Sequence, residues 1–581
     1  MALLRRLVII TPRYVRPYAS APPARDELDV SFNNPIDAFK SKKTSELIRA
    51  YLVYQICSVN FLVENNDMLM KRSRQLVGKT LFELIMKATF YGQFVAGEDP
   101  VRIRPTVDRL YSFGVKSILD YSVEEDISES EAQKREVSAT TSSVKTPNDG
   151  QKEGDLKQFN VEQRFADRRY KVTSARTYFY TNEAACEKNM GHFLKSIEAV
   201  HDATKSTGLM AIKLTALGRP QLLMQLSEVI MRARNYMQQM SGGKGNVMTQ
   251  KKTIDDFNRY FGDNKNKPEV QEFLKKITTD SKGIVHLFPW SNILDKDMNL
   301  SDTFRVPDPK TGQMRRLISQ ISKEEETMFR NMLARLNHII QIANEVDVRI
   351  MIDAEQVYFQ PAISRITMEM MRTYNKDKFL VFNTYQTYLK HTYNELVADL
   401  EQAQRQNFYW AAKCVRGAYM EQERARAAAM GYEDPTCPNY EATTASYHKC
   451  IKEILSRYKG DMKGRVGIMI ASHNEDTVRY AINLMKENGI KPEDKVVCFG
   501  QLLGMCDHVT FPLGQAGYSA YKYVPYGPVT EVLPYLSRRA NENRGFLSKI
   551  KKEKNLLLKE IFRRVSSGQM FYKPVGNYRP V

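Results

Sequence analysis

An α/β barrel of eight parallel strands is the fold class that three features of this 581-residue sequence predict. Short, continuous apolar runs rich in β-branched residues recur eight times, helical patterns separate them, and polar residues gather at the C-terminal end of the runs. Strands that are apolar without alternation are buried on both faces, and such strands interleaved with helices form a parallel sheet. Eight of these units close into a (βα)8, TIM-like barrel, a fold that carries its chemistry at the C-terminal strand ends.

The chain opens with MALLRRLVIITPRYVRPYASAPPAR, which has arginine at 5, 6, 13, 16 and 25 and no acid before Asp26. Residues 1–25 therefore read as a mitochondrial transit peptide; a secretory signal would keep its apolar run free of arginine. Residues 26–110 are expected to form an N-terminal helical arm. Its tract LIRAYLVYQICSVNFLV (47–63) is interrupted by Arg49, Gln55, Ser58 and Asn60, too short and polar to span a bilayer, and reads as a buried helix. The barrel is expected over 111–545. Its strands are VKSILDYS (115–122), LMAIKLTA (209–216), VRIMIDAE (348–355), FLVFNTYQ (379–386), YWAAKCVRG (409–417), RVGIMIAS (465–472), KVVCFGQL (495–502) and YKYVPYG (521–527).

Two insertions stretch it. Residues 124–154 carry almost no large apolar side chain, the composition of a disordered loop. Residues 239–302 are polar and Lys-rich but contain helical pieces and IVHLFPW (284–290), so a small ordered excursion is expected. Within it Asp295, Asp297, Asn299 and Ser301 mimic the start of a calcium loop, yet Leu300 stands at the glycine position and Val306 at the glutamate position, which argues against calcium. The remainder, 546–581, is a basic tail. Its helix 546–565 aligns Leu547, Ile550, Leu557, Ile561 and Val565 on one stripe, suited to an anionic membrane or to the barrel surface.

Composition narrows the function. With 42 % apolar residues the chain can build a large core, and its seven scattered cysteines, with no CxxC, point to a reducing compartment. The net charge of +19 comes without a nucleic-acid-binding signature and fits anionic substrates or an anionic membrane. No HxxH or ExxH pair at a strand end, no GxSxG elbow and no GxGxxG after a strand is present, which removes metal, serine-nucleophile and nicotinamide readings.

Polar residues collect instead at the strand ends: Asp120, Lys213, Asp353 with Glu355, Gln386, Lys413 with Arg416, then Ser472, His473 and Asn474, Gln501, and Tyr523. A lysine such as Lys213 inside a strand buried on both faces loses several kcal/mol of hydration unless it meets an anion. In YVPYGPVTEVLPYLSRRANE, Thr530 is expected to cap a helix whose one face carries Tyr535, Arg538, Arg539 and Glu542. Adjacent guanidiniums with Lys213 make a tri-cationic site whose natural guest is a carboxylate. After the fifth strand, Arg416, Gly417, Ala418 and Tyr419 let a backbone approach a ligand closely in front of a helix N-terminus, which suits a pyrophosphate.

The segments FGVKSILDYS, AIKLTALGRP, IDAEQVYFQPAI, FNTYQTYL, VRGAYMEQERA, ASHNEDTVR, FGQLLGM and YKYVPYGPVTEVLPYLSRRANEN closely resemble the mitochondrial proline dehydrogenases, over about residues 45–545. The resemblance implies an FAD-containing barrel in the mitochondrial matrix, associated with the inner membrane, that oxidises L-proline to Δ1-pyrroline-5-carboxylate and passes electrons to ubiquinone. It further implies that Lys213, Arg538 and Arg539 hold the proline carboxylate while Tyr419, Tyr523 and Tyr535 wall the ring. Asp353 matches the active-site aspartate, and Lys413 stands where a basic residue approaches the flavin. Ala354, Gln386, Val415, Arg416, Gly417, Ala418, Ser472, His473 and Asn474 fall on flavin-contacting positions, with Glu542 beside them orienting one arginine. The hydroxyproline-preferring branch carries serine where this chain has Tyr523. A hydroxyproline dehydrogenase on the same fold and a catalytically silent, membrane-associated binding protein are the alternative readings.

Overall fold

The computed structural model describes residues 24–122, 127–143, 156–172, 177–204, 208–240, 254–279, 285–286, 300–318, 321–545 and 547–581. Within them the apolar runs become eight parallel strands. They are β1 Val115–Tyr121, β2 Leu209–Ile212, β3 Arg349–Ile352, β4 Val381–Gln386, β5 Trp410–Val415, β6 Val466–Ala471, β7 Val497–Leu502 and β8 Ser519–Tyr526. Neighbours in this order pair, and β8 closes on β1 with Ile118 opposite Tyr523, so the barrel leaves no edge exposed.

One residue from each strand, Ile118, Leu209, Met351, Phe382, Ala411, Met469, Cys498 and Tyr521, meets the others in a closed layer of buried side chains. Side chains alternate along a strand, so the next inward layer lies two residues further on. That second layer is Asp120, Ala211, Asp353, Thr384, Lys413, Ala471, Gly500 and Tyr523, and it forms the floor of the barrel mouth. The intervening residues, Leu119, Met210, Ile352, Ala412 and Ile470 among them, face outward into a larger core under the helices.

The helix Pro100–Ser112 belongs to this layer, because Ile103, Val107 and Leu110 enter the outer core, so the barrel's helical coat begins before residue 111. The rest of the arm builds a core of its own, in which Val53, Tyr54 and Phe94 pack with Val532, Tyr535 and Leu536 of the segment after β8. That segment turns helical at Leu533, not next to Thr530, and runs to Gly545. It lies over the C-terminal strand ends as a cap.

The insertion at 124–154 departs from expectation. Residues 129–140 form a helix capped by Ser128, with Ala132, Glu136, Ala139 and Thr140 buried. These residues stand at i, i+4, i+7 and i+8, and three of them are small, so they make a contact stripe that a count of large apolar residues overlooks. Of the second insertion, Ile254–Phe261 and Pro268–Lys276 are helices that bury Phe257, Phe261, Val270 and Phe273 in the outer core. Residues 1–23, 144–155, 241–253 and the calcium-like Asp295 to Asn299 lie outside the described residues.

The tail helix Leu547–Ser566 runs back across the N-terminal arm. Leu556 and Leu557 are buried, and the fully buried Arg564 pairs with Glu560 at 2.7 Å and donates to the carbonyls of Lys42 (2.8 Å) and Phe39 (3.0 Å). Its inner face docks on protein, and Phe562 and Val565 are left exposed. The same helix closes over His508, whose Nε2 lies 2.9 Å from Glu475 and whose Nδ1 lies 3.8 Å from Glu553. Burial alone would push this imidazole down, but the two carboxylates overcome it and raise it to about 9. Glu475 would rise by burial, yet His508 and Lys552 bring it to about 2. A group raised from its ordinary value of 6.5 stabilises the fold fully below that pH and loses the contribution as pH climbs through about 9. Melting temperature is expected to fall between pH 6.5 and 9.5, and His508→Gln to flatten that slope; an unchanged slope in the variant would exclude His508 as its source.

Candidate active site

The second layer opens into a cavity of about 280 Å³ between the strand ends and the cap helix. β2 ends at Ile212, so Lys213 leaves the sheet as the first residue of a tight turn and is 7 % exposed. Its ammonium donates to the Tyr419 hydroxyl at 3.2 Å and lies 5.9 Å from the centre of that ring. Burial keeps Tyr419 well above the ordinary phenol range and therefore neutral, able to pass a hydrogen bond to the Ala354 carbonyl at 3.4 Å. From the cap helix, Arg539 is buried and its guanidinium sits 4.9 Å from the Tyr535 ring centre, with that of Arg538 at 5.9 Å. Lys413 on β5 forms an ion pair with Asp353 after β3. The lining thus carries five cationic side chains, Lys213, Lys413, Arg416, Arg538 and Arg539, against two carboxylates, Asp120 and Asp353. Such a cavity favours anionic guests.

A second stretch of the wall, from β4 to β7, has the character of a nucleotide cradle. Gln386 uses its amide nitrogen on the Glu355 carbonyl (2.9 Å) and the Tyr388 hydroxyl (2.8 Å), which leaves its buried Oε1 without a hydrogen-bond partner among the described residues. Arg416 stacks over Tyr440 at 4.6 Å and donates through Nη2 to Thr444 at 2.8 Å, while its buried Nη1 has no hydrogen-bond partner among the described residues. Buried polar atoms are normally satisfied, so an acceptor and a donor left open in one wall fit a polar ligand between them. The helix Met420–Met430 begins there with no side chain capping its amides. Asn474 instead caps its own helix, accepting from the amides of Asp476 (2.9 Å) and Thr477 (3.2 Å). The Leu502 amide donates to His473 Nε2 at 3.0 Å, which puts the imidazole proton on Nδ1.

A family model for proline dehydrogenase matches residues 103–552. The chain belongs to the proline dehydrogenase family. It is 64 % identical to proline dehydrogenase 1, mitochondrial, of Drosophila melanogaster, over 97 % of this chain and 85 % of that one. Identity to proline dehydrogenase 1, mitochondrial, of Homo sapiens is 46 %, over 94 % of this chain and 91 % of the other. The hydroxyproline dehydrogenase of Homo sapiens is a more distant relative, 31 % identical over 96 % of this chain and 98 % of its own. The solved structure of proline utilization A from Bdellovibrio bacteriovorus, inactivated by N-propargylglycine, aligns over 91 % of this chain and 40 % of its own with a TM-score of 0.50. At 14 % identity it supports the barrel fold alone.

For a proline dehydrogenase, the residues expected from sequence gather closely. Lys213, Asp353, Ala354, Gln386, Lys413, Val415, Arg416, Gly417, Ala418, Tyr419, Ser472, His473, Asn474, Tyr523, Tyr535, Arg538 and Arg539 all line one cavity. The side chain of Glu542 lies outside the described residues. Glu355 turns away from the cavity: it accepts from the Thr215 amide (3.2 Å) and hydroxyl (2.6 Å) and faces Arg168 at 3.5 Å. Tyr178 and Phe193 complete the wall and were not expected. Both precede β2 in regions whose sequence reads as ordinary loop and amphipathic helix, and only the folded chain brings them to the mouth.

Proposed function

We propose that this chain binds FAD and oxidises L-proline to Δ1-pyrroline-5-carboxylate in the mitochondrion, delivering the electrons to ubiquinone of the inner membrane. The observation that carries the reading is the convergence of Lys213, Arg538 and Arg539 with three tyrosines over a ring of strand-end residues. The three cations hold the carboxylate of the imino acid, and Tyr419, Tyr523 and Tyr535 wall its ring; such positioning is worth several kcal/mol of barrier. The reaction removes two electrons as a hydride from C5 and a proton from nitrogen, forming the C5–N double bond. Bound flavin would supply the two-electron acceptor. Asp353 pins the Lys413 ammonium in the mouth, where a fixed positive charge favours charge arriving on an acceptor. Gln386 and Arg416 would hold the cofactor through their open acceptor and donor, and the uncapped N-terminal amides of Met420–Met430 would favour its phosphates. The cap helix keeps water from these ion pairs.

The experiment is a visible spectrum of the purified chain lacking residues 1–25, titrated with L-proline without oxygen. Flavin bands that bleach are expected; a colourless, folded preparation that cannot be reconstituted with FAD overturns the reading.

Tyr523 selects between imino acids. It belongs to the second inward layer and lines the cavity, where its ring would take up the space that a hydroxyl on a bound proline ring needs. Tyr523→Ser is expected to lower kcat/KM for L-proline and to narrow the preference over hydroxyproline by about tenfold, or ~1.4 kcal/mol. Steady-state kinetics of both substrates with a soluble dye acceptor test this. An unchanged ratio, or a wild type that already prefers hydroxyproline, moves the assignment to the hydroxyproline enzyme.

A further inference from the structure

Half of the large apolar side chains exposed in the described chain lie between Ile48 and Ile85, in the N-terminal arm. The helix Asn66–Ala88 is broken at Gly78, with φ 76° and ψ 165°. A Cβ added there would meet nothing within 4 Å, so the break stands in open space. Every residue from Lys71 to Leu81 is exposed. The helix therefore forms an elbow that projects from the body of the molecule.

Its composition is that of an interfacial helix. Leu76 is 85 % exposed, Leu84 63 %, Leu81 49 % and Ile85 46 %. At roughly 100° per residue, Leu81, Leu84 and Ile85 share a face, and Phe82 and Met86 on another side anchor the elbow in the arm core. The helix carries five cations, Lys71, Arg72, Arg74, Lys79 and Lys87, against Asp67 and Glu83, a net charge of +3. Aliphatic tips flanked by lysine and arginine lie in the boundary between headgroups and acyl chains of an anionic bilayer. A protein partner would be expected to meet aromatic anchors in a packed centre, and the large apolar side chains exposed on the helix Asn66–Ala88 include no aromatic one. No described helix is long and apolar enough to cross a membrane, so contact here is at the surface.

We propose that this elbow docks the protein onto an anionic lipid bilayer. The inference rests on the functional reading above only for its purpose, which is access to a lipid-dissolved electron acceptor. The arm core that anchors the elbow is continuous with the cap helix through Tyr535 and Leu536, and Ser537 donates to Asn66 at 2.5 Å. Docking through the elbow therefore sets the cap, and the cavity beneath it, beside the lipid surface. The tail helix, whose inner face is spent on the arm, takes no part.

The test is co-flotation of the flavin-loaded chain, without its first 25 residues, with phosphatidylcholine vesicles and with the same vesicles containing an anionic phospholipid. Flotation with the anionic vesicles is expected, weakened by salt, and the pair Leu76→Asp and Leu84→Asp should reduce it at least about tenfold, whereas Phe562→Ser on the tail should leave it unchanged. Proline oxidation with a soluble dye should be equal in all three proteins, which certifies folding and keeps the outcomes apart. Loss of dye activity in the wild type would overturn the functional reading without touching the docking. Wild-type protein that ignores anionic vesicles, or an elbow variant that floats as well as wild type, overturns the docking proposal. A dimer present without vesicles and abolished by the elbow substitutions also overturns it, assigning the face to a second copy of the chain.

Discussion

Arg168→Met is expected to lower unfolding stability by about 3–5 kcal/mol. The side chain is fully buried and lies 2.9 Å from Glu136 on the helix Glu129–Thr140 and 3.5 Å from Glu355 after β3, and its Nη2 donates to the Tyr178 carbonyl. Its own carbonyl accepts from Gln356 and Gln422, each at 3.2 Å. Methionine fills comparable volume but leaves two buried carboxylates without their cation. Burial already raises Glu136 above the ordinary carboxylate range, and with Arg168 gone it has still less reason to ionise. Because Tyr178 lines the active cavity, the loss should also weaken proline binding. Urea denaturation measures the first effect; a change below about 1 kcal/mol would mean that the network contributes little more than an exposed pair. For the same reason, deleting 124–154 should not be tolerated as the removal of a free loop would be, since the deletion takes Glu136 with it.

Arg539→Met should raise KM for L-proline by roughly ten- to a hundredfold, with kcat affected less, since a lost charged hydrogen bond costs about 1.5–3 kcal/mol. Arg539 is 1 % exposed, so the ion pair it would form with a carboxylate is shielded from water, and screening by salt does little to it. Arg538, half-buried on the same helix, should give the smaller effect when replaced alike. Dye-coupled kinetics over a range of proline concentrations decide the matter. A KM within about twofold of wild type would show that this guanidinium does not hold the substrate.

Why the strand ends were legible in sequence follows from the pleat. Ile118, Leu209, Met351, Phe382, Ala411, Met469, Cys498 and Tyr521 form one interior layer, and the residues two positions further on are the floor of the cavity. A polar residue such as Asp353 or Lys413, two places after an apolar one in a buried run, is thereby assigned to the mouth before any coordinates exist. The cap arginines were legible because 3.6-residue periodicity sets them on one face with Tyr535.

What sequence misplaced depends on partners that are distant along the chain. Glu355 stands as close to a strand end as Asp353, yet Arg168 and Thr215 draw it away from the mouth. The helix Glu129–Thr140 hides among Ser, Glu and Thr because its buried stripe is made of alanines, a threonine and a glutamate whose cation lies elsewhere. Tyr178 and Phe193 carry no local mark of function. The tail allowed two readings, and its side-chain hydrogen bonds to the carbonyls of Lys42 and Phe39 put its inner face on protein.

The path of that tail governs how the chain can fold. Arg564 donates to the carbonyl of Lys42, 522 positions earlier, and Leu556 and Leu557 share a core with Leu47 and Val53 of the arm. The barrel is closed in the same long-range way, β8 against β1. Contacts so far apart in sequence must be preceded by costly loop closure and form late. The arm helices are the first to emerge and among the last to be covered, so their apolar sides stay open while the barrel assembles. A chain shortened before Leu556 should therefore show its defect first as aggregation during refolding, in competition with productive closure.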